Sequence, residues 1–194
     1  MIEEATMPTP IGEVWWASRG GAIVALGFDV QMASLRARVG ARFAGETVRA
    51  VNDAGGARRP LESYFGGELR ALEALAVDVA GTTLQKRVWG ALREIPIGET
   101  RSYAAVAASV GAPRAARAIG SANAQNPVSL VVPCHRVIAV SGALTGYAGG
   151  EERKRWLLAH EGARFSSSVT PALRPRTENA ARDRAPRASS GFAG

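Results

Sequence analysis

Residues 130–137 read Leu-Val-Val-Pro-Cys-His-Arg-Val, and they contain Cys134, the only cysteine in a chain of 194 residues. A lone cysteine excludes an intramolecular disulfide and a zinc site built from several cysteines. His135 and Arg136 follow directly, and either side chain could favour a reactive thiolate. Because neighbouring side chains of an extended strand point to opposite faces, Cys134 and His135 can cooperate only through a turn or a bridging water. Pro133 favours such a turn.

The residues alone leave two interpretations of Cys134 open. A single cysteine in an apolar segment is often a small buried hydrophobic residue without a chemical role. A nucleophilic cysteine needs a base and, behind the base, an orienting carboxylate. Glu161 is the candidate for that carboxylate, and its place in the chain alone does not bring it to His135.

The segments around this stretch read as mainly helical. Two short helices joined by a tight turn at Gly111 indicate a helix-turn-helix. The predicted elements in chain order are a helix capped by Thr82 or Thr83, a short helix over 104–110, a helix with Pro113 in its first turn that runs to about Ala124, a short buried strand at Leu130–Val132, and a last helix over Glu151–His160.

The first part of the chain mixes strand and helix signals, so the predicted fold class is α+β. Apolar runs at 14–17 and 22–26 flank a Gly-containing turn and predict a β-hairpin. A short helix is predicted over 35–43, another from Pro60, and a strand over 75–79. The predicted organisation is a small N-terminal α/β domain with a hairpin and sheet at 1–81, a mainly helical domain at 82–166, and a disordered basic tail at 167–194.

Positive charge is concentrated after residue 81. The chain has a net charge of +7, but residues 1–81 hold 8 basic and 10 acidic residues, whereas residues 82–166 hold 11 basic and 5 acidic ones. A basic segment attracts a polyanion because binding releases counterions. Since arginine is abundant along the whole chain, charge alone does not separate nucleic-acid binding from biased composition.

The second helix of the predicted pair has almost no large side chains. Its small residues, Ala115 and Ala118 among them, suit either tight packing against another helix or a close approach to nucleic acid. Arg114 and Arg117 are the long side chains that interrupt this thin surface.

The segment Pro133-Cys134-His135-Arg136-Val137 resembles the signature of the O6-alkylguanine-DNA alkyltransferases. The resemblance covers about residues 8 to 165 and is highly specific in combination. The other matching segments are Thr9-Pro10-Ile11-Gly12, Tyr64-Phe65-Gly66-Gly67-Glu68-Leu69, Arg87-Val88-Trp89, Ile95-Pro96, Gly98-Glu99-Thr100, Ser102-Tyr103, Arg117-Ala118, Gly120, Asn126-Pro127, Gly142, Leu144-Thr145-Gly146-Tyr147, Gly149-Gly150, and Arg153-Lys154 through Glu161-Gly162.

This resemblance implies a repair reaction in which the protein itself accepts the alkyl group. Cys134 would take the group from O6-alkylguanine, and from O4-alkylthymine, once and irreversibly. His135 would generate the thiolate through a bridging water, Glu161 would orient His135, and Asn126 would hold the turn that presents the cysteine. No cofactor is implied, because the alkyl group is already activated on the base.

The resemblance also implies how double-stranded DNA would be bound. The helix from Pro113 would enter the minor groove, with Arg114, Ala115, Arg117 and Ala118 at the DNA and Arg117 filling the gap left by a flipped nucleotide. Tyr103 would press on the phosphate and hydrogen-bond the guanine. The pocket would comprise Tyr103, Val137, Tyr147 and Ala148, with backbone groups of Cys134 and Val137 reading the guanine edge.

Three alternative functions compete with this one. A non-catalytic alkyltransferase-like damage sensor would share the fold, but that group replaces the reactive cysteine that Cys134 supplies here. A helix-turn-helix regulator usually reads the major groove with long polar side chains, which the Ala-rich helix lacks. A cysteine hydrolase would suit the Cys, His and Glu but leaves the basic half unexplained.

The sequence also predicts that a metal site, a membrane segment and a secretory signal are absent. The first half lacks the Cys and His ligands of the structural zinc site of some relatives, so no metal is expected, and it lacks the additional Cys-based sensor domain of adaptive-response regulators. No run of about 18 apolar residues occurs, and the acidic start Met1-Ile2-Glu3-Glu4 is unlike a secretory signal. A cytoplasmic monomer without membrane contact is therefore expected.

Overall fold

The first half of the chain builds a four-stranded sheet in the computed structural model, which describes residues 1–165. The strands are β1 (Ile2–Thr9), β2 (Gly12–Arg19), β3 (Ala22–Phe28) and β4 (Val48–Ala50). Their order is β3-β2-β1-β4, antiparallel except for the parallel pair β1 and β4. The predicted hairpin over residues 14–26 is therefore confirmed as β2 and β3.

Two adjacent tryptophans in β2 divide this sheet between two cores. Side chains of a strand alternate between its faces, so Trp15 and Trp16 point in opposite directions. Trp15 packs with α1 (Asp29–Arg42), and Trp16 packs into the main core with α2 (Arg58–Phe65). Both indoles are buried, and each donates a hydrogen bond, Trp15 to Glu4 and Trp16 to the carbonyl of Ala54.

The second half is mainly helical, as predicted. It comprises α3 (Thr83–Arg93), β5 (Arg101–Ser102), α4 (Tyr103–Ser109), α5 (Ala116–Ala124), β6 (Val137–Ile138) and α6 (Glu151–His160), with β5 and β6 paired in parallel. Helix α4 and helix α5 pack on each other and on α3. They are joined by a turn at residues 110–115, the arrangement that the predicted helix-turn-helix requires.

The predicted start of α5 is wrong by three residues. The amide of Ala115 donates to the carbonyl of Ala112 at 2.9 Å, which closes a turn with Pro113 at its second position. Proline favours that position because its φ is already fixed. Helical hydrogen bonding begins only when Ile119 donates to Ala115, so α5 starts at Ala116.

The two other predicted strands are also wrong. The apolar run Leu130–Val132 is a buried loop. Leu130 has a φ of 69°, and the amide of Val132 donates to the carbonyl of Val128, four residues earlier, and not to a neighbouring strand. The predicted strand at 75–79 is reduced to one bridge between Ile23 and Val77. At Leu130–Val132 the apolar run indicated burial, which a strand and a buried loop share, whereas at 75–79 only Leu75 is buried.

The segment that leads to Cys134 is attached to the edge of the sheet. Leu26 of β3 receives a hydrogen bond at its carbonyl from the amide of Ser129 (2.8 Å) and donates its own amide to Pro127 (2.9 Å). The segment that leads to Cys134 therefore continues the sheet by one bridge, between Leu26 and Val128. No helix within residues 1–165 is long and apolar enough to cross a membrane. The predicted tail at 167–194 lies outside the described residues.

We predict that Thr82→Ala lowers the free energy of unfolding by about 1 kcal/mol. The Thr82 hydroxyl accepts from the amide of Gln85, and the Gln85 side chain accepts from the amide of Thr82, so the mutation removes half of a capping box. Urea unfolding measures the change. Thr83→Ala is the matched control, because Thr83 is the first helical residue and is also exposed. Equal losses from both variants would contradict the capping role.

Candidate active site

Cys134 begins a short 3-10 turn over Cys134–Arg136, so the turn that the sequence requires at Pro133 is present. Asn126 fixes the approach to it. The Asn126 side chain donates to the carbonyl of Val132 at 2.8 Å and accepts from the amide of Val128 at 3.0 Å. Both ends of the preceding loop are thus tied to one buried amide.

Behind the turn, the Glu161 carboxylate collects four hydrogen bonds. His135 Nε2 lies 3.0 Å from Oε1, and Arg136 approaches with Nε at 2.8 Å from Oε2 and Nη2 at 2.9 Å from Oε1. The fourth donor is the hydroxyl of Tyr64, 2.9 Å from Oε1. All four side chains are buried. The structure therefore places Glu161 next to His135, a contact that the sequence alone could not establish.

The ionisation states of this group follow from its surroundings. Burial opposes the charge on Glu161, but hydrogen bonds and charges of His135 and Arg136 outweigh it and hold the pKa of Glu161 well below its ordinary value. Burial lowers the pKa of His135, although Glu161 acts in the opposite direction. At neutral pH the carboxylate is therefore charged and the imidazole neutral. A charged carboxylate can only accept, so Nε2 of His135 carries the hydrogen.

The other ring nitrogen of His135 is available for a proton. Nδ1 is buried and has no hydrogen-bond partner among residues 1–165. Burial raises the pKa of the Cys134 thiol, while hydrogen bonding by Asn126 and the charge of Lys154 pull it down. The thiol of Cys134 and the imidazole of His135 are thus both neutral at rest, and Nδ1 of the imidazole is the atom that can accept the thiol proton.

Lys154 is a functional candidate that the sequence prediction did not single out. It is fully buried in α6, and Nζ donates to the carbonyls of Val137 (2.6 Å) and Thr145 (3.1 Å). Burial lowers its pKa to about 8. It is one of only two lysines in an arginine-rich chain, which is the signal that could have drawn attention to it.

The three tyrosines of the chain all lie at this site. Tyr103 is half-buried and donates to the carbonyl of Thr145 at 3.2 Å. Tyr147 is buried with its ring 6.5 Å from that of His135, and its hydroxyl has no partner within residues 1–165. For Tyr103 and Tyr147 alike, burial and then the proximity of Cys134 raise the pKa. Tyr64 lies in the matching segment 64–69, for which the resemblance implies no site residue.

The remaining predicted pocket residues differ in exposure. Val137 is fully buried and offers its carbonyl to Lys154. Ala148 is exposed and lines a cavity of about 680 Å³ between the loop at 147–150 and the β1–β2 turn. Arg153 closes that junction by donating to the carbonyls of Ile11 and Gly149 and to Asp29.

The predicted DNA-binding side chains lie around the start of α5. Arg114, Arg117 and Ala118 are exposed, and Ala115 is half-buried as the N-cap residue. Neither arginine forms a salt bridge within the described part of the chain. The opposite side of α5 is buried against the core. Residues 1–165 contain no group of three or more His, Cys, Asp or Glu side chains that could hold a metal ion.

Acid should remove the stabilisation that Glu161 provides. A carboxylate whose pKa is depressed in the folded state contributes stability fully above its ordinary pKa of 4.5, and this contribution is lost as the pH falls below that value. We predict that Glu161→Gln destabilises the protein at pH 7 by about 3–5 kcal/mol, because Arg136 loses its buried partner.

The measurement is urea unfolding as a function of pH. The deficit of Glu161→Gln relative to the wild type should shrink progressively below pH 4.5. Glu152→Gln is the control, since Glu152 is an exposed carboxylate at the other end of the same helix. A deficit that stays constant with pH would show that the charge of Glu161 is not what stabilises the fold.

Comparison with known proteins gives one family. Residues 83–163 match the model of the 6-O-methylguanine DNA methyltransferase, DNA binding domain. A methylated-DNA–protein-cysteine methyltransferase of Mycolicibacterium paratuberculosis is 45% identical over 170 residues, covering 88% of this chain and 98% of that protein. The protein of the same name from Salmonella typhimurium is 53% identical over 117 residues, covering 60% of this chain and 68% of the relative.

Solved structures agree with this result. The crystal structure of Mycobacterium tuberculosis OGT in complex with DNA superposes with a TM-score of 0.70 at 42% identity, covering 82% of this chain and 92% of that one. The M. tuberculosis O6-methylguanine methyltransferase gives a TM-score of 0.72 at 41% identity, covering 87% and 97%. This chain belongs to the methylated-DNA–protein-cysteine methyltransferase family.

Proposed function

We propose that this protein repairs O6-alkylguanine in double-stranded DNA by transferring the alkyl group to its own Cys134, in a single turnover. The observation that carries the proposal is the buried set of Cys134, His135 and Glu161, with a neutral base beside a neutral thiol. The family and the DNA complex of its M. tuberculosis relative support DNA as the partner. The protein acts as a cytoplasmic monomer and takes O4-alkylthymine as a second substrate.

The transfer needs one proton movement within the protein. The thiol proton of Cys134 passes through a bridging water to Nδ1 of His135, and Glu161 stabilises the imidazolium that forms. The sulfur then attacks the alkyl carbon, the S–C bond forms as the C–O bond breaks, and guanine keeps the bonding electron pair. The guanine anion takes up a proton, and the imidazolium of His135 returns its proton to solvent, so the charges balance. The product is a thioether that water does not reverse, so each molecule reacts once.

The alkyl carbon is out of reach while the guanine is stacked in the duplex. Extruding the base costs a few kcal/mol. The thin surface formed by the half-buried Ala115 and the exposed Ala118 lies along the minor groove, where Arg117 fills the vacated position and Arg114 meets the phosphates. Tyr103 contacts the flipped nucleotide beside Cys134. The pocket is completed by Tyr147, Ala148 and the backbone of Val137.

Lys154 also contributes to the proposed reaction. Its positive charge lowers the pKa of Cys134 and so favours the thiolate, and Nζ holds the carbonyl of Val137, whose backbone would read the guanine edge. The damage-sensor alternative is not favoured, because the reactive cysteine is retained at Cys134.

Intact-mass analysis after incubation with O6-methylguanine DNA tests the proposal directly. One methyl group should be added per protein molecule, on the peptide that contains Cys134, and no further turnover should follow. Cys134→Ala is the control, which should bind the DNA and gain no mass. Repeated turnover, or a methyl group on another residue, would contradict the proposal.

Arg117→Ala should slow repair of duplex DNA by about tenfold or more, since base extrusion costs a few kcal/mol and 1.4 kcal/mol corresponds to about tenfold in rate. Its reaction with free O6-benzylguanine, which requires no extrusion, should change little. Single-turnover rates on both substrates measure the difference.

The charge-matched control is Arg114→Ala, which removes another exposed arginine just before the helix. It should weaken DNA binding without a comparable loss of the transfer rate at saturating DNA. If Arg117→Ala slows both substrates equally, the arginine does not act in extrusion.

A further inference from the structure

We propose that Tyr64 is a positioning residue for the alkyl transfer, which holds Glu161 in line with His135 and limits how strongly that carboxylate stabilises the imidazolium. The inference rests on the proposed function. It assigns to α2, an element of the N-terminal part of the chain, a direct hydrogen bond to the machinery that activates Cys134.

The geometry at one carboxylate oxygen carries the proposal. Oε1 of Glu161 accepts from Tyr64 Oη at 2.9 Å, from His135 Nε2 at 3.0 Å and from Arg136 Nη2 at 2.9 Å. Oε2 accepts from Arg136 Nε at 2.8 Å. Tyr64 and His135 therefore share the same oxygen, and the tyrosine and the carboxylate are only 1% and 4% exposed.

Tyr64 is itself held firmly. Its ring packs edge-on against Phe65 and His160, with centroid distances of 5.3 and 5.2 Å. Nε2 of His160 lies 2.7 Å from the Tyr64 carbonyl, and the His160 ring stacks on Trp156 at 4.7 Å. Contacts from both α2 and α6 thus fix the direction in which the hydroxyl points.

The direction of the hydrogen bond determines its effect. Because Glu161 is ionised, it can only accept, so the phenol donates. A donor on Oε1 draws negative charge away from His135, and the imidazolium that forms during thiol activation is less stabilised than it would be otherwise. Tyr64 therefore adds to the effect of burial, which already favours a neutral His135, and it orients Glu161 at the same time.

The other charged and titratable groups around His135 stay in place when this hydroxyl is removed. Arg136 and Cys134 adjoin it in the 3-10 turn, Lys154 faces it from α6, and Tyr147 faces it from the following loop. Arg136 still holds Glu161 ionised through two hydrogen bonds. Removing the Tyr64 hydroxyl should thus raise the pKa of His135.

The test is Tyr64→Phe, which keeps the ring and removes the hydroxyl. Histidine NMR measures the titration directly, and the chain has only two histidines, His135 and His160. The His135 midpoint should rise by about half a pH unit, as expected for one hydrogen bond of modest net strength. The acid limb of the single-turnover rate on O6-methylguanine DNA should move upward by a similar amount.

Phe65→Leu is the matched control. Phe65 lies next to Tyr64 in α2, packs on Tyr64 and on Trp156 of α6, and makes no hydrogen bond to Glu161. It should leave both midpoints unchanged even if it lowers stability. A Tyr64→Phe variant that is slower by the same factor at every pH, with an unmoved His135 midpoint, would overturn the proposal and leave Tyr64 a packing residue.

A second variant covers the case in which Tyr64→Phe does not fold. A fluorinated tyrosine placed at position 64 alone is a stronger donor of the same shape, so it should shift the His135 midpoint downward. An unmoved or raised midpoint would overturn the proposal. The NMR titration needs no DNA, so a wild type that fails to accept a methyl group would refute the proposed function without deciding the role of Tyr64.

Discussion

The buried carboxylate of Glu161 is the constraint on which the rest of the site depends. Removing a charge from water costs several kcal/mol unless partners replace the lost solvation. Here the replacement comes from three side chains, Tyr64, His135 and Arg136, which supply four hydrogen bonds. Since these donors come from separate elements, the carboxylate can be satisfied only when α2, the 3-10 turn and the end of α6 have all docked.

This arrangement separates the resting state from the reactive one. Burial makes charge unfavourable on both Cys134 and His135, so the pair stays neutral although an anion lies next to the imidazole. A neutral thiol reacts slowly with unintended alkylating agents. A protein that is consumed by one reaction benefits from that restraint, because each premature alkylation removes a molecule from use. In the proposed mechanism, the same carboxylate then stabilises the imidazolium once substrate is in place.

The sequence predicted elements whose signals are local and missed what depends on distant contacts. The bounds of α6 were predicted correctly, and Thr82, one of the two predicted cap residues, is the cap of α3, because periodicity and capping depend on neighbouring positions. The start of α5 and the strand at Leu130–Val132 were predicted wrongly, because Pro113 suits a turn as well as a helix and an apolar run suits a buried loop as well as a strand. Tyr64 lies 97 residues from Glu161, so no local pattern could have paired them.

The buried inner face of α5 fixes the helix in place, so its outer face can approach another molecule closely. Its inner face is fixed by Ile119 and by Asn123, whose side chain donates to the carbonyl of Cys134 at 3.4 Å. Its outer face carries small residues and Arg117, which forms no salt bridge within residues 1–165. A helix that must approach a DNA backbone closely cannot rely on bulky outward contacts for its position. The core beneath α5 therefore has to supply that position, and the hydrogen bond from Asn123 ties this helix to the carbonyl of Cys134, the residue that we propose as the alkyl acceptor.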